Sequence, residues 1–126
     1  MFTLDKKVEF YVPSTEDINS GIDADRHAGR VHKIARQFAD LFGGSTQQKA
    51  IGHYVTDAGI LVSEDITIVT SYADRASYDR HYNDVINLAA SFCRQWSQES
   101  IAIAFCDRLV LVDSNDAGIE EGHPAS

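Results

Sequence analysis

The stretch that most restricts the fold is Ala58 to Tyr72, in which two short apolar runs flank an acidic pair. The runs are Ile60 to Val62 and Ile66 to Val69, and the pair is Glu64-Asp65. The second run alternates β-branched residues, which favour a pleated, half-buried surface. We therefore predict that this stretch is the central strand of a sheet, with a kink at the acidic pair.

Further strands are predicted where apolar and polar residues alternate with a period of two. These stretches are Lys7 to Val12, Lys49 to Thr56 and Ile101 to Phe105, and a last short apolar run extends from Leu109 to Val112. Because Asp57-Ala58-Gly59 is typical of a tight turn, the strand before it and the central strand should form a hairpin. On a sheet face without helices we expect polar and aromatic residues: Glu9, Tyr11, Tyr54, Thr67 and Ser71.

Two segments have the period of an amphipathic helix. They run from Asp23 to Phe42 and from Asp74 to Ser97, and each begins with an aspartate that can act as N-cap. Gly43-Gly44 supplies the positive φ that ends many helices. The element order is β-α-β-β-α-β with an extra C-terminal strand. It predicts an α+β, ferredoxin-like sandwich with both helices on one face of a mostly antiparallel sheet.

The chain of 126 residues has the length of one globular domain. We predict a single α+β domain over residues 1–112 and a disordered acidic tail over 113–126, which has almost nothing to bury. The segment from Ser14 to Ile22 is a long, turn-rich connection, and such loops often carry function. No apolar run is long enough to cross a bilayer, so we expect a cytoplasmic protein with no membrane partner. Cys93 and Cys106 have no ligand spacing and are expected to be reduced.

The formal net charge of −8 weighs against direct binding of nucleic acid, which needs a basic surface. An acidic mimic of DNA is the opposite possibility. The predicted helices are close to neutral, so the excess charge lies in loops and in the tail. A solvated acidic surface is the simpler interpretation.

Motifs for chemistry are absent from the sequence. There is no phosphate-binding glycine loop, no Gly-x-Ser-x-Gly nucleophile turn and no zinc-type spacing among the five histidines. We therefore predict no catalytic residue, no metal and no cofactor.

Seven residues are the candidates for binding a ligand or a partner. Arg26 and Arg30 form a basic stripe on the first helix with Lys33, although a solvated face with local ion pairs is the simpler interpretation. On the second helix Arg75 and Tyr78 lie at i and i+3, and the core stripe of that helix is the simpler interpretation of Tyr78. Among the strand candidates, Tyr11 and Tyr54 are expected on the face without helices, and His53 on the other face of its strand, beside Ile51 and Val55.

The chain also resembles a group of small uncharacterised bacterial and bacteriophage proteins. The resemblance rests on Tyr11-Val-Pro-Ser-Thr15, Gly43-Gly-Ser-Thr46, Gly59-Ile-Leu-Val62 and Gln98-Glu-Ser-Ile101. It covers Lys7 to Val112 and leaves the tail unmatched. It implies a prokaryotic or phage setting and no assigned activity.

Together these features favour a non-catalytic protein that binds a macromolecular partner or a ligand and that forms a homodimer through the open sheet face. An inhibitor of a host or defence protein is the specific form of this hypothesis. The alternative is an enzyme of the dimeric α/β-barrel type, similar to small monooxygenases or isomerases, with a pocket between sheet and helices. In that enzyme Tyr11, His53, Tyr54 and Arg75 would line the pocket. An acidic DNA mimic is the third hypothesis.

Overall fold

A computed structural model describes residues 1–17 and 20–116 of the chain. The strands are β1 Lys6–Pro13, β2 Thr15–Glu16, β3 Ser20–Gly21, β4 Thr46–Val55, β5 Leu61–Ala73, β6 Ile101–Phe105 and β7 Arg108–Val112. The helices are α1 Ala24–Phe42 and α2 Arg75–Gln95, and a short 3-10 turn follows at Ser114–Asp116. None of the helices in the described ranges is both long and apolar enough to cross a membrane.

Both helices begin, and α1 also ends, where the capping residues predict, whereas α2 ends at Gln95, two residues before the predicted Ser97. The Asp23 side chain accepts a hydrogen bond from the Arg26 backbone N–H, and the Asp74 side chain accepts one from Ser77 in the same way. At the end of α1, Gly43 adopts a φ of 94° and donates its N–H to the Ala39 carbonyl. Local hydrogen bonds therefore fix these helix boundaries.

Five strands form one antiparallel sheet in the order β4-β5-β1-β6-β7. This order confirms the α+β prediction and is consistent with a ferredoxin-like fold extended by a hairpin strand. The prediction that Ala58 to Tyr72 is the central strand was wrong, because β1 holds the middle position and β5 lies beside it. The expected kink is also absent within this stretch, since β5 is continuous through Glu64-Asp65.

The core lies between the helices and one face of the sheet. Its largest fully buried side chains are Phe10, Phe38 and Phe105, and the Phe10 and Phe38 rings meet edge to face with centroids 6.0 Å apart. Thr67 and Ser71 also face the helices and are buried, so their predicted exposure was wrong. Alternation fixes which residues share a face, and local polar partners allow these two hydroxyls to lie on the covered one.

The hairpin of β4 and β5 extends beyond the rest of the sheet. The pairing of β1 with β5 ends at Pro13 and Ile66, whereas β4 and β5 continue to pair as far as Val55 and Leu61. We call residues 51–65 the β4–β5 arm. Its large apolar side chains are exposed, including Ile51, Val55, Ile60 and Leu61.

The long connection after β1 contains structure that the sequence did not predict. Thr15–Glu16 and Ser20–Gly21 pair as the two-stranded ribbon of β2 and β3. At the C-terminus, Ser114–Asp116 form the 3-10 turn within the predicted tail. The remainder of that tail lies outside the described residues, so its disorder stays a prediction.

Candidate functional site

An open cleft of about 740 Å³ lies on the sheet face opposite the helices. It is bounded by the end of β1, the β4–β5 arm and the connection from α2 to β6. Its lining includes Tyr11, Pro13, Thr15, Gly52, His53, Tyr54, Glu64, Ile66, Gln98, Glu99 and Leu111. A volume of this size is in the range of small-molecule sites.

Between the sheet and the helices the core is filled by side chains such as Phe10, Phe38 and Ile34, which are fully buried. An open cleft of about 1070 Å³ lies at the edge of this layer, between α1 and the β4–β5 pair, but Tyr11, His53, Tyr54 and Arg75 are not among its lining residues. The cleft that Tyr11 and Tyr54 line is on the open face of the sheet, which the helices leave uncovered, beside the β4–β5 arm and the end of β1. This changes the location that the enzyme hypothesis assumed.

Glu64 is the acidic group of the cleft whose position is fixed by hydrogen bonds. Its Oε2 accepts the Ser14 backbone N–H at 3.0 Å and the Thr15 hydroxyl at 3.0 Å. The residue is half-buried and faces the same side of β5 as Ile66 and Ile68. Two donors on one oxygen restrict the rotation of the carboxylate and leave Oε1 for other contacts.

The Pro13–Thr15 segment, whose donors bind Glu64, is itself fixed by hydrogen bonds to its carbonyl groups. Arg30 Nη1 donates to the Pro13 carbonyl at 2.9 Å and to the Thr15 carbonyl at 2.8 Å. The Gln98 side-chain amide donates to the same Thr15 carbonyl at 2.6 Å. Residues from α1 and from the connection between α2 and β6 therefore converge on one short piece of backbone.

Two arginines and two glutamates surround this segment, and their effects on the pKa of Arg30 oppose one another. Burial lowers the pKa of Arg30 and the neighbouring Arg26 acts in the same direction, whereas the Glu16 and Glu64 carboxylates oppose that shift. Arg26 forms a two-fold hydrogen-bonded ion pair with Glu16, at 3.0 and 2.9 Å, and this contact lowers the pKa of the Glu16 carboxyl. Arg30 is thus a buried cation within electrostatic reach of Glu64.

Aromatic side chains complete the cleft. Tyr54 lies on the same face as Glu64, diagonally across the β4–β5 pair, and Tyr11 comes from the neighbouring β1. His53 borders the cleft, but its side chain lies on the opposite face of the β4–β5 pair, where its Nδ1 is 2.8 Å from the hydroxyl of its cross-strand partner Ser63. The structure therefore brings the side chains of Tyr11 and Tyr54 to one face, and that of His53 to the other.

The other four predicted residues lie outside the cleft lining. Arg26 and Arg30 flank the β2–β3 connection, as described above. Arg75 is exposed on the first turn of α2 and pairs with Asp79 at 3.1 Å. Tyr78 is 5% exposed in the core, where its ring meets Phe105 edge to face, and burial raises the pKa of its phenol to about 12.

Sequence reasoning missed Glu64, Gln98 and the Ser14-Thr15 segment as site residues. Glu64 was treated as half of a kink, although it breaks an otherwise apolar series on one face of the strand. An acid in such a series is the signal that could have pointed to it. Within the described ranges, no group of three or more His, Cys, Asp or Glu side chains is arranged to hold a metal ion.

Comparison with known proteins identifies the fold at the level of solved structures. The chain matches a phage SAM lyase in its apo state with a TM-score of 0.59 and 15% identity, over 96% of this chain and 98% of that chain. It matches a phage SAM lyase in complex with S-methyl-5′-thioadenosine with a TM-score of 0.55 and 10% identity, over 86% and 88%. At these identities the likeness shows a shared fold. No protein-family model and no curated protein matches the sequence.

This comparison corrects the functional expectation drawn from the sequence. A non-catalytic interaction protein is contradicted, because both solved structures are of a small enzyme that is named for its action on SAM. The alternative hypothesis, a small-molecule enzyme, is the better one. The phage setting implied by the sequence resemblance agrees with the structural neighbours, whereas membership of an uncharacterised family has no support.

Proposed function

We propose that this protein is a lyase that cleaves S-adenosylmethionine (SAM) at a carbon–sulfur bond and releases S-methyl-5′-thioadenosine. The observation that carries the proposal is the Glu64 carboxylate, fixed by two donors in an open cleft that Tyr11 and Tyr54 also line. Support also comes from the fold, which matches a phage SAM lyase along nearly the whole chain.

The chemistry of SAM fits such a cleft. The substrate carries an adenine ring, a sulfonium and an α-ammonium, and aromatic side chains bind flat rings and cations. Tyr11 and Tyr54 are the residues for the adenosyl part. Their phenol groups add a polar tip to each apolar ring, which suits a site that is open to water on one side.

Glu64 is assigned to the α-ammonium group of the substrate. A carboxylate against the sulfonium would stabilise the substrate more than the transition state, because that positive charge disappears as the bond breaks. The ammonium keeps its charge throughout the reaction. A contact with it therefore holds the amino-acid arm without opposing the reaction, and orientation of this arm is worth several powers of ten in rate.

The bond changes balance without a co-reactant. An oxygen of the substrate's own carboxylate forms a bond to the γ-carbon, and the bond from that carbon to sulfur breaks. The electron pair stays on sulfur, which becomes the neutral thioether of S-methyl-5′-thioadenosine. The four-carbon fragment leaves as homoserine lactone. The role of the protein is to bind the substrate folded on itself, with carboxylate and γ-carbon in contact.

The test is a direct assay of the purified protein with SAM, with both products followed by mass spectrometry. Glu64→Gln should lower kcat/KM on the order of 100-fold, because it removes a charge-assisted contact and keeps the side-chain size. Asp65→Asn is the matched control, since it neutralises the next residue of the same strand, outside the cleft. Absence of product from the natural protein contradicts the lyase. Equal losses in both variants contradict the role of Glu64.

We also propose that two copies of the chain associate through the open sheet face. Support comes from the exposed apolar side chains of that face, Tyr72 near the end of β5 and Leu109 and Leu111 on β7. Native mass spectrometry should give a dimer for the natural chain and a monomer for Leu111→Glu. A monomeric natural chain contradicts this proposal and leaves the lyase proposal standing.

A further inference from the structure

Arg30 is a buried cation with an unusual set of partners. It is 6% exposed, and its guanidinium carbon lies 4.7 Å above the centre of the Trp96 ring. Buried arginines are usually paired with carboxylates, because removing the charge from water is costly. Arg30 instead donates one nitrogen to two backbone carbonyls, those of Pro13 and Thr15.

The two carbonyls bracket the donors that hold Glu64. The Ser14 N–H lies between the two carbonyls in the chain, and the hydroxyl belongs to Thr15 itself. Both groups donate to Glu64 Oε2. A nitrogen that binds both carbonyls sets the curvature of this piece of backbone, and Gln98 adds a second donor to the Thr15 carbonyl. The direction of the Ser14 N–H follows from that curvature.

We propose that Arg30 is a positioning residue that orients the Glu64 carboxylate through the Pro13–Thr15 segment. This inference rests on the proposed function for its effect on catalysis. The planar guanidinium is suited to the task because its donors are fixed relative to one another, and its stacking on Trp96 fixes the whole group. Arg30 itself lies outside the cleft lining.

The first test measures the segment without any substrate. Hydrogen exchange of the Ser14 amide is followed by NMR in the natural chain, in Arg30→Met and in Arg36→Met. Arg36 lies on the same helix, but its side chain is exposed and pairs with Asp40 on that helix. We expect exchange at Ser14 to be at least ~10-fold faster in Arg30→Met and unchanged in Arg36→Met. Unchanged exchange in Arg30→Met overturns the inference.

A conservative variant keeps the test valid if Arg30→Met does not fold. Arg30→Lys retains the charge and can reach one carbonyl, although it lacks the planar group. Its Ser14 exchange should lie between that of the natural chain and that of Arg30→Met, or above that of the natural chain if Arg30→Met is unfolded. Exchange equal to that of the natural chain contradicts the inference.

The second test separates a positioning role from a general structural one. Arg30→Lys is combined with Glu64→Gln, and kcat for SAM cleavage is measured for both single variants and the pair. If Arg30 acts through Glu64, its substitution lowers kcat about 10-fold in the natural background and has no further effect beside Glu64→Gln. The same loss in both backgrounds overturns the inference. Failure of the natural chain to cleave SAM defeats the proposed function, and the exchange experiment still decides the role of Arg30.

Discussion

Burial alternates along both halves of β5, but the two halves have different surroundings. From Ile66 to Thr70 the strand lies between β4 and β1, and Val69 is fully buried beneath the helices. From Leu61 to Asp65 it pairs with β4 alone, and Leu61 is 63% exposed. The first half contributes Val69 to the core and only Ile66 to the cleft lining, whereas the second half contributes Glu64 to the cleft.

One strand therefore stabilises the fold along one part of its length and lines the cleft along another. The covered half is stabilised by apolar burial, which is insensitive to the identity of the polar groups around it. The half in the β4–β5 arm has few core contacts, so packing restricts the identity of its residues less than it does in the covered half. Glu64 belongs to this half and Thr67 to the other, only three positions away.

The largest effect should come from the covered side. Phe38→Ala removes a fully buried ring that meets Phe10 and Phe42 edge to face. We expect a loss of about 3–5 kcal/mol in the free energy of unfolding, because a cavity remains where the ring was. Denaturant unfolding measures the loss, and Phe2→Ala, at a residue that is 84% exposed, is the control. A loss below about 1 kcal/mol would contradict the assignment of the core.

The next effect is a dependence of stability on alkaline pH. Burial raises the pKa of the Tyr78 phenol to about 12 from the ordinary value of 10.0, with Cys106 acting second. The folded state favours the protonated phenol, so this contribution is complete below about pH 10 and is lost as the pH rises to about 12. The free energy of unfolding should fall by up to roughly 1.4 kcal/mol per pH unit in this window.

Tyr78→Phe should remove this share of the pH dependence. Tyr72→Phe is the control for the loss of one tyrosine, because Tyr72 is 53% exposed at the far end of β5. Urea unfolding at a series of pH values measures the slope for each chain. A slope in Tyr78→Phe equal to that of the natural chain between pH 10 and 12 shows that burial of this phenol is unimportant.

A smaller effect is expected where the arm meets the sheet. In Gly52→Ala the new Cβ would lie 2.6 Å from Ile66 Cδ1, so that the isoleucine must move. The contact is with the end of a flexible side chain, and a loss of at most about 1 kcal/mol should follow. Both residues line the cleft, so under the proposed lyase function KM for SAM should rise severalfold while the stability loss stays small.

Thermal unfolding and steady-state kinetics of Gly52→Ala test this separation. Gly44→Ala is the control, because no neighbouring atom lies within 4 Å of a Cβ placed there. A stability loss above about 2 kcal/mol with an unchanged KM would mean that Gly52 belongs to the stabilising half of the sheet.

The smallest change in the free energy of unfolding is expected for a substitution in the β4–β5 arm. Ile51→Ser replaces a side chain that is 62% exposed and should change the free energy of unfolding of the isolated chain by no more than about 0.5 kcal/mol. Dilute samples, in which any dimer has dissociated, give the relevant value. A loss of about 2 kcal/mol or more in the free energy of unfolding of such samples would show that the arm stabilises the fold as the covered half of β5 does.

The element order and the helix boundaries could be predicted because their signals are local. Asp23 and Gly43 lie within a few residues of the hydrogen bonds that they make. Alternation was equally reliable for grouping residues by face. It could not say which face the helices cover, and Thr67 and Ser71 were placed on the wrong side for that reason.

The site depended on contacts between distant parts of the chain. Glu64 is 50 residues from Ser14 and 49 from Thr15, and Gln98 is 83 residues from Thr15. No spacing rule links positions so far apart. Tyr11, His53 and Tyr54 were found because they lie on strands that alternation identifies, whereas the role of Arg30 needs the position of the backbone that it binds.

The central place of β1 has a consequence for synthesis of the protein on the ribosome. This strand is made before both of its partners, β5 and β6, and Val8 pairs with Ser71 on one side and Phe105 on the other. One edge of the nascent strand therefore stays unpaired until β5 has been translated, and the other edge until β6 has been translated. Such long-range pairing slows folding. We expect the sheet to be completed only after the last strands have left the exit tunnel, so a truncated product would leave β1 exposed for aggregation.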